Sequence, residues 1–176
     1  MLDLGNTLLR GFALSLDLEE DFFLEKFNRA AGWLRLLHYP PQRRIEADRS
    51  IGVGAHTDYE CFTIRAQDDN SGLQVQNLNG EWIAAPPIRG TFVINIADLM
   101  ARWTNDVFRS TMHRAVNLSG QDRYSIPFFL GPNADTMVSC LSSCVSPGAS
   151  PKHPPIVTSE WILARVLGSQ PYLATS

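Results

Sequence analysis

Apolar residues over the first thirty positions recur every three or four, and beyond Trp33 that spacing gives way to short, alternating runs. In LGNTLLRGFALSLDL the residues Leu4, Leu8, Leu9 and Phe12 fall on one helical face, which needs a partner surface. Asp17 followed by Glu20 has the form of an N-cap ahead of DFFLEKFNRAA, predicting a second helix that Gly32 ends. The segments WLRLLHYP, IGVGAHTD, CFTIRAQ, LQVQNL, EWIAAP, TFVINIAD, HRAVNL, RYSIPFFL and TMVSCL are rich in Val, Ile, Phe and Thr and divided by Gly, Asn, Asp and Pro. Such runs predict antiparallel strands. Many short strands after two helices predict a mainly β fold: a sandwich, barrel or jelly roll with N-terminal helices packed on one side. SPGASPKHPP reads as a loop, and SEWILARVLG as a closing helix capped by Ser159. The expected organisation is a helical segment over 1–35, a β core over 36–140 and a C-terminal loop and helix over 141–176.

Composition narrows the function more than the fold. With 176 residues, 44% hydrophobic and 19% charged, the chain has apolar material for one core. A net charge of -3, with Lys and Arg scattered, supplies no basic stripe for phosphates, so nucleic acid is not expected as a partner. No apolar run approaches the ~18 residues of a membrane span, and MLDLGNTLLRGF lacks the cationic flank of a secretory signal. The expected location is the cytoplasm, without membrane attachment. Cys61, Cys140 and Cys144 are odd in number and lack paired CxxC spacing, so free thiols are expected over a Cys140–Cys144 disulfide or a zinc site.

The chemistry concentrates in GAHTDY and, far downstream, STMHRAV. On an extended chain His56 and Asp58 share a side while Thr57 faces away. With His113 just before another strand-like run, two imidazoles and one carboxylate leave open positions on an octahedral ion, as an iron(II) centre needs to bind a cosubstrate and oxygen together. A lone H-x-D triplet is weak, since single histidines are more often core or surface residues. In DRYSIPFF, however, Arg123 and Ser125 are again two apart. A planar guanidinium and a hydroxyl on one face make an anchor for a carboxylate; the competing reading is a surface ion pair. A turn at Ser119, Gly120 and Gln121 predicts that HRAVNL and RYSIPFF form a hairpin, with His113 roughly opposite Arg123.

Taken together, LLHYPP, GAHTDYECFTIRAQD, GLQVQN, GEWIAAPP, GTFVINIADLMARWTND, STMHRAVN and DRYSIPFFLGP resemble the 2-oxoglutarate and iron(II)-dependent dioxygenase superfamily, in its isopenicillin N synthase-like branch. The resemblance implies a double-stranded β-helix in which His56, Asp58 and His113 bind Fe(II). It implies that Arg123 and Ser125, with Tyr39, hold the distal carboxylate of 2-oxoglutarate. O2 would be the oxidant and a small organic molecule, of secondary metabolism or nucleobase-like, the substrate; hydroxylation is the default outcome, desaturation or cyclisation the variants. Tyr39 could equally be ordinary packing on a half-buried strand. His38 is expected to face away and be structural, and His153 to be solvated. Phe62, Phe128 and Phe129 read as pocket wall or core. Ala97 stands where the family usually has Gly, and Arg65 where it has an apolar strand residue. The resemblance leads one to expect a further N-terminal region, so the chain reads as the catalytic part. The alternatives are a 2-oxoglutarate-independent oxidase with the same triad and a non-catalytic relative.

Overall fold

A computed structural model describes residues 1–41, 52–117 and 119–169. The N-terminal helix forms as expected, α1 over Leu2–Ser15, burying Leu9 and Ala13. The second helix does not. Asp17 adopts φ 56 beyond the end of α1 rather than capping a new helix, and DFFLEKFNRAA makes turns and a 3-10 segment, Leu24–Phe27. Tertiary packing overrides the local spacing. Phe23 sits edge-on to Trp103 at 5.2 Å, and the Asn133 carboxamide oxygen accepts from the Arg29 N–H at 2.8 Å, drawing the chain out of helical geometry. Gly32 lies inside β1 (Ala31–Leu34), where an added Cβ would meet the Phe128 ring at 2.9 Å.

WLRLLHYP is divided between β1 and β2 (Leu37–Tyr39), both paired with the long strand β9 (Arg123–Gly131). The break falls at Pro127 of β9, which has no N–H to donate; its carbonyl accepts from Arg35 instead. On its other side β9 pairs with β4 (Phe62–Gln67), and β4 pairs with β7 (Val93–Ile96). A second antiparallel sheet runs in the order β3 (Val53–His56), β8 (His113–Ala115), β5 (Leu73–Gln76), β6 (Trp82–Ala84). These two sheets make the double-stranded β-helix. The ribbon β10 (Met137–Val138) with β11 (Ile156–Val157) leads into α3 (Thr158–Ser169). Helix α3 starts before Ser159, whose N–H donates to Ala134, so Ser159 is within the helix rather than its cap.

The expected hairpin between HRAVNL and RYSIPFF is absent: β8 belongs to one sheet and β9 to the other. His113 faces His56 and Val75 across its ladders, while Arg123 faces Tyr39. Asn117, fully buried, pins the crossing between sheets, its amide donating to the Tyr39 and Gln121 carbonyls at 2.9 and 2.7 Å. A short helix, α2 (Asp98–Trp103), follows β7; six residues are too few for the apolar spacing to reveal it.

Alternation along β4 and β9 gives their sheet two unlike faces. Phe62, Ile64, Phe128 and Leu130 join Leu9, Phe23, Leu99, Met100 and Trp103 in the hydrophobic core beneath the helices. Helix α1 approaches closely at Gly5, where a Cβ would come within 2.6 Å of Leu130. Phe62, fully buried, belongs to this core; its truncation to Ala would cost about 3–5 kcal/mol. Thr63, Arg65, Gln67, Arg123 and Ser125 occupy the opposite face, toward the second sheet, so the polar chemistry is walled by a conventional core.

Candidate metal centre and carboxylate pocket

His56 ends β3 and His113 begins β8, and the ladder places them directly opposite each other. Asp58 lies just past β3, and its Oδ1 is 3.6 Å from the Nε2 of each imidazole. That distance is too long for a hydrogen bond but short enough for one ion about 2.1 Å from each donor to reach both. One ligand atom from each of the three residues lies within 4.8 Å of the others. Each Nδ1 faces a backbone carbonyl, Gly54 at 2.7 Å for His56 and Thr111 at 3.1 Å for His113. A carbonyl only accepts, so both Nδ1 atoms carry a proton, and in the neutral form of each ring Nε2 is the nitrogen with the lone pair. This is the tautomer a metal needs.

The second oxygen of Asp58 is also fixed. Thr63 Oγ1 donates to Oδ2 at 2.6 Å and Asn95 Nδ2 at 2.8 Å, both from the sheet opposite the histidines, leaving Oδ1 for an ion. Asp98, at the start of α2, braces the surrounding loops: it accepts from Ser110 Oγ at 2.6 Å, from Thr57 Oγ1 at 3.2 Å and from Arg165 of α3 at 3.1 Å. Thr57 thus turns its hydroxyl to Asp98 and not to the three donors, as alternation required. Burial, opposed by Asp58 and reinforced by His56 and Arg65, holds the His113 imidazole below its ordinary pKa, so it stays neutral and available as a ligand. Thr63, Asn95 and Asp98 were not singled out from the sequence. The signal available for Asn95 and Asp98 was that they interrupt an apolar run, TFVINIADLM.

Arg123 is fully buried. Its Nη2 donates to Gln67 Oε1 at 2.8 Å and its Nε to the Asn70 carbonyl at 3.2 Å. Gly72 is needed here, because a Cβ would lie 2.8 Å from both Cδ and Nε of Arg123. Tyr39 packs its ring 5.0 Å from the guanidinium, and Ser125, on the Arg123 face, donates to the Ala66 carbonyl at 3.4 Å. Two polar atoms in this cluster, Arg123 Nη1 and the Tyr39 hydroxyl, are buried without a partner among the described residues. Orphaned donors of this kind are costly unless a ligand satisfies them. A carboxylate would do so, and the surface-ion-pair reading of Arg123 is excluded by its burial. His113 and Arg123 therefore stand on two different sheets, not along one hairpin.

The remaining candidates lie elsewhere. His38 stacks on Tyr124 at 4.8 Å and bonds Asp122 at 2.6 Å on the exposed side, structural as expected. His153 is less free than expected, 3.2 Å from Asp106. Cys61, Cys140 and Cys144 are free thiols. Beside the triad a cavity of about 320 Å³ is bounded by Trp33, Arg35, Glu60, Phe129, Ile162 and Val166, so Phe129 is wall rather than core. Burial, with Asp58 nearby, raises the Glu60 carboxyl above its ordinary range. A larger and more open hollow of about 510 Å³ touches Asp98 but contains none of the three donors. Among the described residues no helix is long and apolar enough to cross a membrane.

A family model described as the 2OG-Fe(II) oxygenase superfamily matches residues 30–132. The chain is 41% identical over 162 residues to the 2-oxoglutarate-Fe(II) type oxidoreductase hxnY of Emericella nidulans, covering 91% of this chain and 46% of that protein. It is 38% identical over 170 residues to a homoarginine-6-hydroxylase of Oryza sativa, covering 94% of this chain and 52% of the relative. Among solved structures, Neurospora crassa T7H in complex with alpha-KG and thymine superposes with a TM-score of 0.90 at 31% identity, covering 95% of this chain and 53% of that one. The chain spans about half the length of the curated relatives it matches.

Proposed function

The chain belongs to the 2OG-Fe(II) oxygenase superfamily, and on that premise we propose that it carries the catalytic centre of an enzyme that oxidises a small organic molecule at the expense of 2-oxoglutarate and O2. His56, Asp58 and His113 hold Fe(II) in this reading, and Arg123, Ser125 and Tyr39 hold the far carboxylate of 2-oxoglutarate. The observation that carries it is the pairing of two half-sites: three convergent donors with lone pairs aimed at one point, and orphaned buried donors of Arg123 and Tyr39 on the facing sheet. A dicarboxylate is the simplest molecule that serves both.

When bound, the iron and 2-oxoglutarate supply the oxidising power: O2 and 2-oxoglutarate give succinate and CO2, and one oxygen atom goes to the substrate in a hydroxylation. The protein's own work is positional. Gly54 and Thr111 carbonyls fix the imidazole tautomers, Thr63 and Asn95 orient the Asp58 carboxylate, and Gln67 and Asn70 aim Arg123. The cavity walled by Trp33, Phe129, Ile162 and Val166 suits a small, largely apolar substrate, with Glu60 and Arg35 as its polar contacts. The chemical family of T7H, crystallised with thymine, and of the homoarginine hydroxylase makes nucleobase-like and amino-acid-like compounds the first to try. A protein with net charge -3 and scattered cations is not suited to nucleic acid.

The test is oxygen uptake and succinate formation by the Fe(II)-loaded chain, with and without 2-oxoglutarate, across such compounds. Succinate formed in step with substrate oxidation is expected, and none after His56→Ala or His113→Ala. Oxygen uptake independent of 2-oxoglutarate would favour the oxidase alternative, and failure to retain iron would favour the non-catalytic one.

A further inference from the structure

Arg65 is a cation that neither half-site requires, yet it stands between them. Along the inward face of β4, Thr63 reaches Asp58 and Gln67 reaches Arg123, and Arg65 is the residue midway. It is 5% exposed. Its Nη2 lies 3.3 Å from Nε2 of His113. Because His113 keeps its proton on Nδ1, facing Thr111, the Nε2 atom can only accept here, and Arg65 donates to it. The lone pair so engaged is the one an ion would take. The guanidinium is also within electrostatic reach of Asp58, which favours its charge, and of Arg123, which opposes it.

Resting on the reading of the triad as an iron site, we propose that Arg65 is a resident cation of the metal-free centre, and that it makes metal binding depend on the dicarboxylate. Without metal, the guanidinium offsets the buried Asp58 charge and occupies the His113 lone pair. An incoming divalent ion must break that hydrogen bond and leaves Arg65 buried between a dication and Arg123. An anion spanning the gap from the triad to Arg123 restores a partner for Arg65, whose position midway along β4 faces that span. Metal and dicarboxylate therefore favour each other by more than direct chelation, and reciprocally.

The experiment uses the full chain under anaerobic conditions with Mn(II) as a redox-inert probe, its free concentration read by electron paramagnetic resonance, with and without saturating 2-oxoglutarate. Wild type is compared with Arg65→Leu and Arg65→Gln, each checked for a cooperative thermal transition; the smaller change to Gln keeps the comparison available if the Leu variant does not fold. Without 2-oxoglutarate, the variants are expected to bind Mn(II) on the order of tenfold more tightly than wild type. With it, the gap should close, so that wild type shows the larger gain from the cosubstrate. Equal or weaker Mn(II) binding by both variants in the absence of 2-oxoglutarate overturns the role given to Arg65 while leaving the metal centre intact. Absence of Mn(II) binding in all three proteins overturns the metal centre and this inference with it.

Discussion

Replacing Arg123 by Met removes the charge that the carboxylate pocket is built around while keeping most of the side chain's bulk. In the wild type two donors of the guanidinium are committed to Gln67 and Asn70, and Nη1 is buried with no partner among the described residues. A hydrogen bond from that charged donor to a carboxylate contributes about 1.5–3 kcal/mol, so 2-oxoglutarate affinity should fall roughly 10- to 150-fold. The same substitution leaves the Gln67 and Asn70 acceptors without their donor, which costs stability, so thermal unfolding must be followed alongside. The assay is anaerobic calorimetric titration of the Mn(II)-loaded protein with 2-oxoglutarate and, in parallel, with pyruvate, which has the same keto-acid end but no distal carboxylate. Only 2-oxoglutarate should weaken. Equal loss for both ligands would show that Arg123→Met damages the metal end of the site, and undiminished 2-oxoglutarate affinity would remove Arg123 from the pocket altogether.

Three further outcomes follow from the geometry. Thr63→Val and Asn95→Ala each delete one hydrogen bond to Asp58 Oδ2, and each should weaken Mn(II) binding about 10- to 100-fold in competition with a chelator; unchanged affinity would mean that the carboxylate needs no such support. Gly72→Ala drives a methyl group against Arg123 Cδ and Nε and the Val116 carbonyl, so it should lower 2-oxoglutarate affinity with metal binding preserved, and a variant that titrates like wild type would contradict the close approach. Burial sets the His113 imidazole below its ordinary value of 6.5, so between that value and the depressed one the unfolded chain takes up a proton that the folded chain does not. This group leaves the metal-free protein's stability unaffected above the ordinary value and lowers it as pH falls through the window; denaturation of wild type and His113→Asn across that range should show a steeper loss for wild type, and parallel curves would refute the shift.

The sequence by itself determined the parts whose physics is local. Helix α1, the alternating strands and the sides that residues share follow from spacing: His56 and Asp58 share a side, as do Arg123 and Ser125, because an extended chain repeats every two residues. What the pattern could not carry was anything set by contacts distant in the chain. DFFLEKFNRAA has helical spacing, yet Trp103 and Asn133, far along the chain, hold it as turns. A turn between β8 and β9 has the composition of a hairpin, yet Asn117 sends the two strands to opposite sheets, so His113 and Arg123 stand on different sheets and not along one ladder. Thr63, Asn95 and Asp98 acquire meaning only once the sheets face each other and Asp58 needs support from the other side. Arg65 looks on paper like a misplaced charge in an apolar strand; the fold turns it toward His113. Periodicity is a property of a few neighbouring residues, whereas the choice of partner for a buried polar group is made by the whole chain as it closes over that group and removes water.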